Sequence, residues 1–343
     1  MLSGKLPWST RVFTDRDVDS FSNQDKLATL PKLFMERGYQ TGSIGLTQNS
    51  TRFNFDTYEA DTDAEVIVRK VFQFLNQARR SENPFFLMIG LQKSEAREDR
   101  MRRLSDEYVI EYLDFILGTI LKGIIDLGLG HKTVLNVISK SNKHLLLSED
   151  NLMDEHFRTS WLLFDPKFHG VFNTFDLRKK AREEASRAEL TLPAKLVSRV
   201  VSLVDVLPTV LEASGIPVRI KPCRKWTLTV SNKPCHDGES RYKLANPKLD
   251  GSKATGKFLA YSFALRSPDN CRLRCQGVSL RSHRFRYNIW FTCCDYEDAD
   301  EAVHSQLFDM WSERKEEANV LWRGDLRQMS KTFGQIIKSK MQL

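Results

Sequence analysis

Apolar residues recur at helical spacing in the stretch 105–127, which carries the clearest structural signal in the chain. Two acidic residues follow Ser105, and this suits a helix start because the helix dipole favours negative charge in its first turn. The apolar face continues at positions four residues apart: Tyr108, Tyr112, Ile116, Ile120 and Ile124. Gly128 ends the predicted helix, and residues 133–139 form a predicted buried strand. A helix entering a buried strand indicates an α/β layer, with its chemistry at the strand's carboxyl end.

The same alternation of helix and strand patterns occurs on either side of this stretch. Residues 30–38 predict a short amphipathic helix, and residues 41–45 predict the strand that follows it. An acidic and then helical region, 58–83, precedes a second predicted buried strand at 84–90. Further along, the pattern of 200–217 predicts a strand that leads into a helix.

After about residue 220 the pattern changes to shorter segments with alternating or β-rich composition. Three of them predict strands: 258–263, 275–280 and 285–291. A basic helix is predicted at 325–341. We therefore predict an α/β domain over 1–219 and a smaller antiparallel-sheet subdomain over 220–343.

Several phrases of the chain resemble those of the sulfatases of the alkaline-phosphatase superfamily, in particular the iduronate-2-sulfatases. The matching phrases are Leu-Pro-x-x-Phe-x-x-x-Gly-Tyr-x-Thr at 30–41, the helix and strand ending at Ser139, Ser-Leu-Val-Asp at 202–205, Arg-Phe-Arg-Tyr at 284–287 and a Gln-Leu-Phe-Asp turn at 306–309. The resemblance implies a central sheet with flanking helices and a smaller C-terminal antiparallel sheet. It also implies hydrolysis of sulfate esters on glycosaminoglycans such as heparan and dermatan sulfate.

Most of the family's active-site positions next to the sulfate are substituted in this chain. Leu46 stands where the family has a lysine, and Asn49 stands where it has a histidine. Lys93 is retained, but Glu95 occupies the place of the histidine that reaches the substrate sulfate in the family. A carboxylate at that place would repel a sulfate ester.

The calcium position of the family is also substituted. Its strand ends in Ser-Asp-His-Gly, but here Lys140 replaces the calcium-binding aspartate and Ser141 replaces the histidine. The family's Cys-x-Pro-Ser-Arg, whose cysteine becomes the formylglycine nucleophile, is absent from the sequence, which begins after its expected place. We therefore expect a sulfatase-like protein without calcium and without turnover. The alternative is a non-catalytic binding protein for a sulfated glycan or a protein partner.

The charge of the chain is consistent with polyanion binding, although it does not by itself identify a site. The formal net charge is +8, and the basic residues are spread over the sequence, so a generally basic surface is favoured over a nucleic-acid patch. One predicted hairpin concentrates four basic residues that could bind a sulfated sugar: Arg281, His283, Arg284 and Arg286. Solvated hairpin side chains are the alternative interpretation.

The cysteines and the termini bear on the cellular compartment. The resemblance implies a disulfide between Cys223 and Cys235, since iduronate-2-sulfatases carry a cysteine pair at about this place; free thiols are the alternative. Asn49 begins a glycosylation sequon, which matters only in the secretory pathway. The family implies a lysosomal or secreted protein. The N-terminus lacks a signal-peptide core, which predicts a cytoplasmic protein if Met1 is the true start.

No apolar run in the sequence approaches the length of a membrane span, so none is predicted.

Overall fold

A computed structural model of the chain describes most of its predicted elements. The described residues are 2–10, 28–45, 53–91, 106–139, 152, 158–169, 197, 199–217, 220–223, 235–246, 259–266, 275–291, 302–312, 316 and 318–341. Their helices are α1 Pro7–Thr10, α2 Leu30–Met35, α3 Ala64–Ser81, α4 Asp106–Asp126, α5 Pro166–His169, α6 Val206–Ala213 and α7 Arg327–Met341. Their strands are β1 Gln40–Ile44, β2 Thr57–Glu59, β3 Phe85–Ile89, β4 Leu135–Ile138, β5 Trp161–Phe164, β6 Lys221–Pro222, β7 Cys235–His236, β8 Ala260–Arg266, β9 Cys275–Arg281, β10 Phe285–Phe291 and β11 Ala302–Asp309.

The first sheet is parallel, and β1 lies between β2 and β3. β2 and β3 run in the same direction on either side of β1, and a long connection that contains α3 joins them. The helix begins at Asp63, whose carboxylate accepts hydrogen bonds from the backbone N–H groups of Glu65 at 2.8 Å and Val66 at 3.3 Å. Five of its buried apolar residues recur every three or four positions and face the sheet: Ile67, Val71, Phe74, Leu75 and Ala78.

Two helical layers enclose this sheet. On one face, α3 packs with Ile116 and Ile120 of α4. On the other face, α2 and α6 form a second cluster, where the rings of Phe34 and Phe86 stack with centroids 4.5 Å apart. Phe86 therefore faces one layer while its neighbour Phe85 packs against the other, as the alternation of a strand requires. The predicted α/β layer is confirmed.

The helix and strand predicted around residues 105–139 also form. After α4, β4 pairs with β5 in an antiparallel two-stranded sheet, in register from Leu135 opposite Phe164 to Ile138 opposite Trp161. Ile138 and Trp161 pack against the same cluster as Phe86, so β3 and β4 both lie against the α2–α6 layer.

The C-terminal strands form an antiparallel sheet in the order β11-β10-β9-β8, which confirms the predicted antiparallel unit. One face of β10 is apolar and packs with β9, β11 and Ile337 of α7. Leu6, near the N-terminus, belongs to the same cluster, so contacts cross the predicted boundary between 1–219 and 220–343.

Two local predictions are wrong. Leu203–Asp205, expected within a strand, forms a 3-10 turn before α6, and no strand forms within the described residues 199–217. Here the Asp205 carboxylate accepts a hydrogen bond from the Ser202 backbone N–H at 3.0 Å and closes a helical turn. Gln306–Asp309, expected to be a turn, is the end of β11, because these residues pair with Phe285–Asn288 of β10.

Asp205 also joins α6 to the segment after β7. Its carboxylate pairs with the Arg241 guanidinium at 3.0 Å and accepts the Glu239 backbone N–H at 2.8 Å. The Arg241 backbone N–H donates to the Thr209 hydroxyl, which itself donates to the Asp205 carbonyl. Both charged side chains are buried, so the pair depends on these complementary bonds.

Among the described residues, no helix combines the length and apolarity that crossing a membrane requires.

Replacing Asp205 by alanine should strongly destabilise the protein, because it removes the buried partner of Arg241 and leaves the half-exposed Glu239, at 3.3 Å, to balance the buried charge. We expect a loss of about 3–5 kcal/mol in the free energy of unfolding, measured by urea denaturation. The matched control is Asp325→Ala, which removes an aspartate paired with Arg323 at 2.7 Å on the surface. That change should cost about 1 kcal/mol or less, because exposed pairs are weak. Equal losses in the two variants would contradict a structural role for the buried pair.

Candidate functional site

The carboxyl ends of β1 and β3 meet at two glycines. The Gly90 N–H donates to the Ile44 carbonyl at 2.8 Å, so the two chains leave the sheet side by side. Gly45 has φ +82, and a Cβ there would lie 2.3 Å from the Gly90 carbonyl oxygen and 2.8 Å from Ile67 Cδ1. Only glycine fits this approach, which fixes where the chain leaves β1.

The substituted family positions follow these strand ends in the sequence. Leu46 comes directly after Gly45, and Lys140 comes directly after Ser139, which follows β4. Ser139 is held by its N–H, which donates to the Ser160 carbonyl at 2.9 Å. Six predicted site residues lie outside the described residues: Leu46, Asn49, Lys93, Glu95, Lys140 and Ser141. Their proposed roles, including glycosylation at Asn49, therefore stay predictions.

The part of the chain that the structure describes contains no cluster of three or more histidine, cysteine, aspartate or glutamate side chains suited to a metal. The calcium position inferred from the family, at Lys140 and Ser141, falls outside that part. The expected lack of calcium stays a prediction.

Cys223 and Cys235 are joined by a disulfide, with their Cα atoms 5.0 Å apart. The bond lies where β6 and β7 pair in parallel, and the Cys223 N–H donates to the His236 carbonyl at 2.7 Å. The sequence left free thiols open as the alternative; the structure has the disulfide.

The structure divides the four basic hairpin residues between the surface and the interior. Arg286 is only 2% exposed, and its guanidinium pairs with Glu316 at 2.6 Å and donates to Ser279 Oγ at 2.8 Å. Arg286 alternates along β10 with the residues of the apolar core, so its side chain lies on the opposite face of the sheet. Most residues on that face are also buried. Arg286 is therefore inside the protein. The predicted glycan-binding role of Arg286 is wrong, because its side chain is not accessible.

Arg284, in the turn between β9 and β10, stays at the surface but is fixed in place. Its guanidinium donates to both carboxylate oxygens of Asp309, from Nε at 3.0 and 3.1 Å and from Nη2 at 2.6 Å. These hydrogen bonds lower the pKa of the Asp309 carboxyl below its ordinary value. The pair therefore stays ionised and oriented at neutral pH.

Trp311 lies against Arg284 and His283, a group of side chains that the sequence predictions missed. The Arg284 guanidinium carbon lies 5.2 Å from the Trp311 ring centroid, and the His283 ring meets Trp311 edge-on at 5.8 Å. Arg281 lies at the end of β9, where its guanidinium donates to the Ser282 carbonyl. The sequence feature that could have indicated this arrangement is the tryptophan two residues after Asp309. Asp309 itself was predicted to lie in a turn.

Solved structures share this fold at low sequence identity. A 2-O glycosaminoglycan sulfatase aligns with a TM-score of 0.61 at 13% identity, and the alignment covers 98% of this chain and 79% of the sulfatase chain. YidJ of Bacteroides fragilis, a sulfatase candidate, has a TM-score of 0.68 at 13% identity, with 99% and 84% covered. The phosphonate monoester hydrolase of Agrobacterium radiobacter has a TM-score of 0.61 at 12% identity, with 98% and 84% covered.

No model of a protein family and no curated protein sequence matches the chain. The structural similarity nevertheless extends over nearly its whole length, through both the parallel sheet and the C-terminal antiparallel sheet. The chain therefore has the sulfatase fold of the alkaline-phosphatase type.

Proposed function

We propose that this chain is a sulfatase-family protein of the iduronate-2-sulfatase kind that binds sulfated glycosaminoglycan without hydrolysing it. The observation that carries the proposal is the junction of β1 and β3 at Gly45 and Gly90. This junction lies at the strand ends where an α/β fold places its ligand site. The chain continues from it into Leu46 and Glu95, where the resemblance places a lysine and a histidine.

The substituted side chains oppose catalysis through their charge. Hydrolysis of a sulfate ester needs positive groups where negative charge develops, and loss of one such donor typically costs about 10²–10³ in rate. Leu46 removes a cation, and Glu95 adds an anion. Each change raises the energy of an anionic transition state.

The residues at the calcium position do not fit a calcium ion. Calcium is bound by oxygen ligands, above all carboxylates. The Lys140 ammonium offers three donors, no acceptor and a positive charge, so it would repel the ion. We propose that the site works without a metal, and that Lys140 supplies a fixed positive charge in place of the ion.

Retention of a sulfated ligand is compatible with the remaining charge. Lys93 and Lys140 follow the carboxyl ends of β3 and β4, and the chain as a whole carries a formal charge of +8. Two cations without a metal can hold a sulfate group by charge-assisted hydrogen bonds. Proteins of the same fold include one described as a 2-O glycosaminoglycan sulfatase, which supports a glycosaminoglycan as the ligand.

The purified chain should release no sulfate from a fluorogenic 2-sulfated iduronide, with added calcium or with a chelator. Calcium should also leave its melting temperature unchanged, because Lys140 and Ser141 provide no carboxylate for the ion. An active iduronate-2-sulfatase serves as the positive control for the substrate. Calcium-dependent sulfate release would overturn the non-catalytic assignment.

Ligand binding is tested on immobilised heparin, with unsulfated heparosan as the matched surface. We expect retention on heparin alone, weakening as salt is raised. Soluble dermatan sulfate should compete better than chondroitin 4-sulfate, which contains glucuronate in place of iduronate. Equal retention on heparin and heparosan would contradict recognition of the sulfate groups, and equal competition would contradict the preference for iduronate.

We further propose that the protein resides in the secretory pathway or the lysosome. The support is the Cys223–Cys235 disulfide, because such bonds persist in oxidising compartments. Asn49 would then be open to glycosylation.

This proposal predicts the chemical state of the protein isolated from cells. Alkylation before and after reduction should label Cys223 and Cys235 only after reduction. Removal of N-glycans should shift the electrophoretic mobility of the wild-type chain but not that of Asn49→Gln. Labelling of both cysteines without reduction would place the chain in a reducing compartment and refute the assignment.

A further inference from the structure

Trp311 is an exposed indole that is held in place without being buried. It lies in the turn after β11 and is 65% exposed, although aromatic side chains of this size normally bury most of their surface. Its backbone N–H donates to Asp309 Oδ1 at 3.2 Å. The contacts with Arg284 and His283 orient the ring while leaving most of it accessible to solvent.

The support beneath this ring is rigid. Asp309 is almost completely buried, and it accepts from the Nε and Nη2 atoms of Arg284. The Met310 N–H also donates to the Arg284 carbonyl at 2.8 Å, which ties the turn after β11 to the turn before β10. The hydrogen bonds from Arg284 to Asp309 use Nε and Nη2 and leave Nη1 out, and the arginine side chain is 44% exposed. Arg284 thus presents oriented N–H donors beside the indole.

We propose that His283, Arg284 and Trp311 form a sugar platform that binds one residue of a sulfated glycan. The apolar C–H face of the sugar would stack on the indole, and hydroxyl or sulfate oxygens at its edge would accept hydrogen bonds from Arg284. Because the ring and the guanidinium are already fixed, binding costs little side-chain entropy. This inference rests on the proposed function, for which it adds a second contact with the polymer.

The dimensions and chemistry of the platform favour a sugar over a protein partner. A stable protein interface buries roughly 800 Å² on each partner, usually around several apolar anchors. Here one exposed ring stands beside two polar side chains, an arrangement that matches the apolar face and polar edge of a single sugar. The formal charge of +8 further favours an anionic polymer.

The platform and the proposed sulfate site belong to different elements of the fold. It is built from the β9–β10 turn and the end of β11, whereas the sulfate site follows the carboxyl ends of β1, β3 and β4. A glycan that contacts both surfaces gains affinity because the second contact becomes intramolecular. A substitution at the platform should therefore weaken polymer binding without abolishing it.

The test compares variants by calorimetric titration with a heparin oligosaccharide of defined length. Trp311→Ala should weaken binding by up to about tenfold, because the face on which the sugar stacks is lost. Trp311→Phe, which keeps an aromatic face, should recover part of the loss. The matched control is Phe115→Ala, which removes a ring of 67% exposure from α4, outside the C-terminal sheet. Its affinity should equal that of the wild type.

The outcomes separate this inference from the proposed function. If the wild type binds heparin and Trp311→Ala binds equally well, the sugar platform is refuted and the proposed function stands. If the wild type does not bind heparin, the proposed function itself fails. An equal loss in Trp311→Ala and Phe115→Ala would show a non-specific effect and would also refute the platform. Unchanged melting temperatures of the variants verify that the comparison reports binding rather than folding.

Discussion

The buried carboxylate of Asp205 is the interaction on which the arrangement of this chain most depends. It closes the turn before α6, receives the Glu239 N–H and pairs with Arg241. A buried charge is tolerated only when its bonds are complete, so α6 and the segment after β7 must be positioned together. The same helix packs with α2 against the parallel sheet. One carboxylate thus connects the core layers to the part of the chain that carries the disulfide.

The parallel sheet positions the strand ends that the proposed sulfate site follows, while the residues after those strands decide what that site can do. The close approach of Gly45 and Gly90 constrains the backbone at these two positions only, and it does not restrict which residues come next in the chain. The sulfatase fold is therefore compatible with the non-catalytic role that we propose. In that proposal, Leu46, Glu95 and Lys140 differ in charge from the residues that the family resemblance implies at these positions.

The C-terminal hairpin shows how position on a sheet separates similar side chains. Arg284 lies in the turn and remains accessible, whereas Arg286 lies on β10 beneath a covered face and pairs with Glu316. Two arginines only two positions apart therefore differ in role: Arg284 is a donor at the surface, whereas Arg286 forms a buried ion pair. The partner Glu316 is 30 residues away in the sequence, beyond the reach of any local pattern. Asp309 and Trp311 likewise meet Arg284 only because β10 and β11 pair.

The sequence by itself determined the elements whose signal is local. The apolar periodicity of 106–126 and the continuous apolar run of 85–89 were sufficient to predict α4 and β3, because burial of one stripe or of a whole strand leaves a direct pattern. The order of these elements also determined the α/β class. Tertiary structure decided the rest: the 3-10 turn at 203–205, the interior position of Arg286, the disulfide and the setting of Trp311. Apart from the turn, which a local Ser202–Asp205 capping box closes, each depends on a bond or contact between chain segments whose approach is set by packing, and local spacing does not encode that approach.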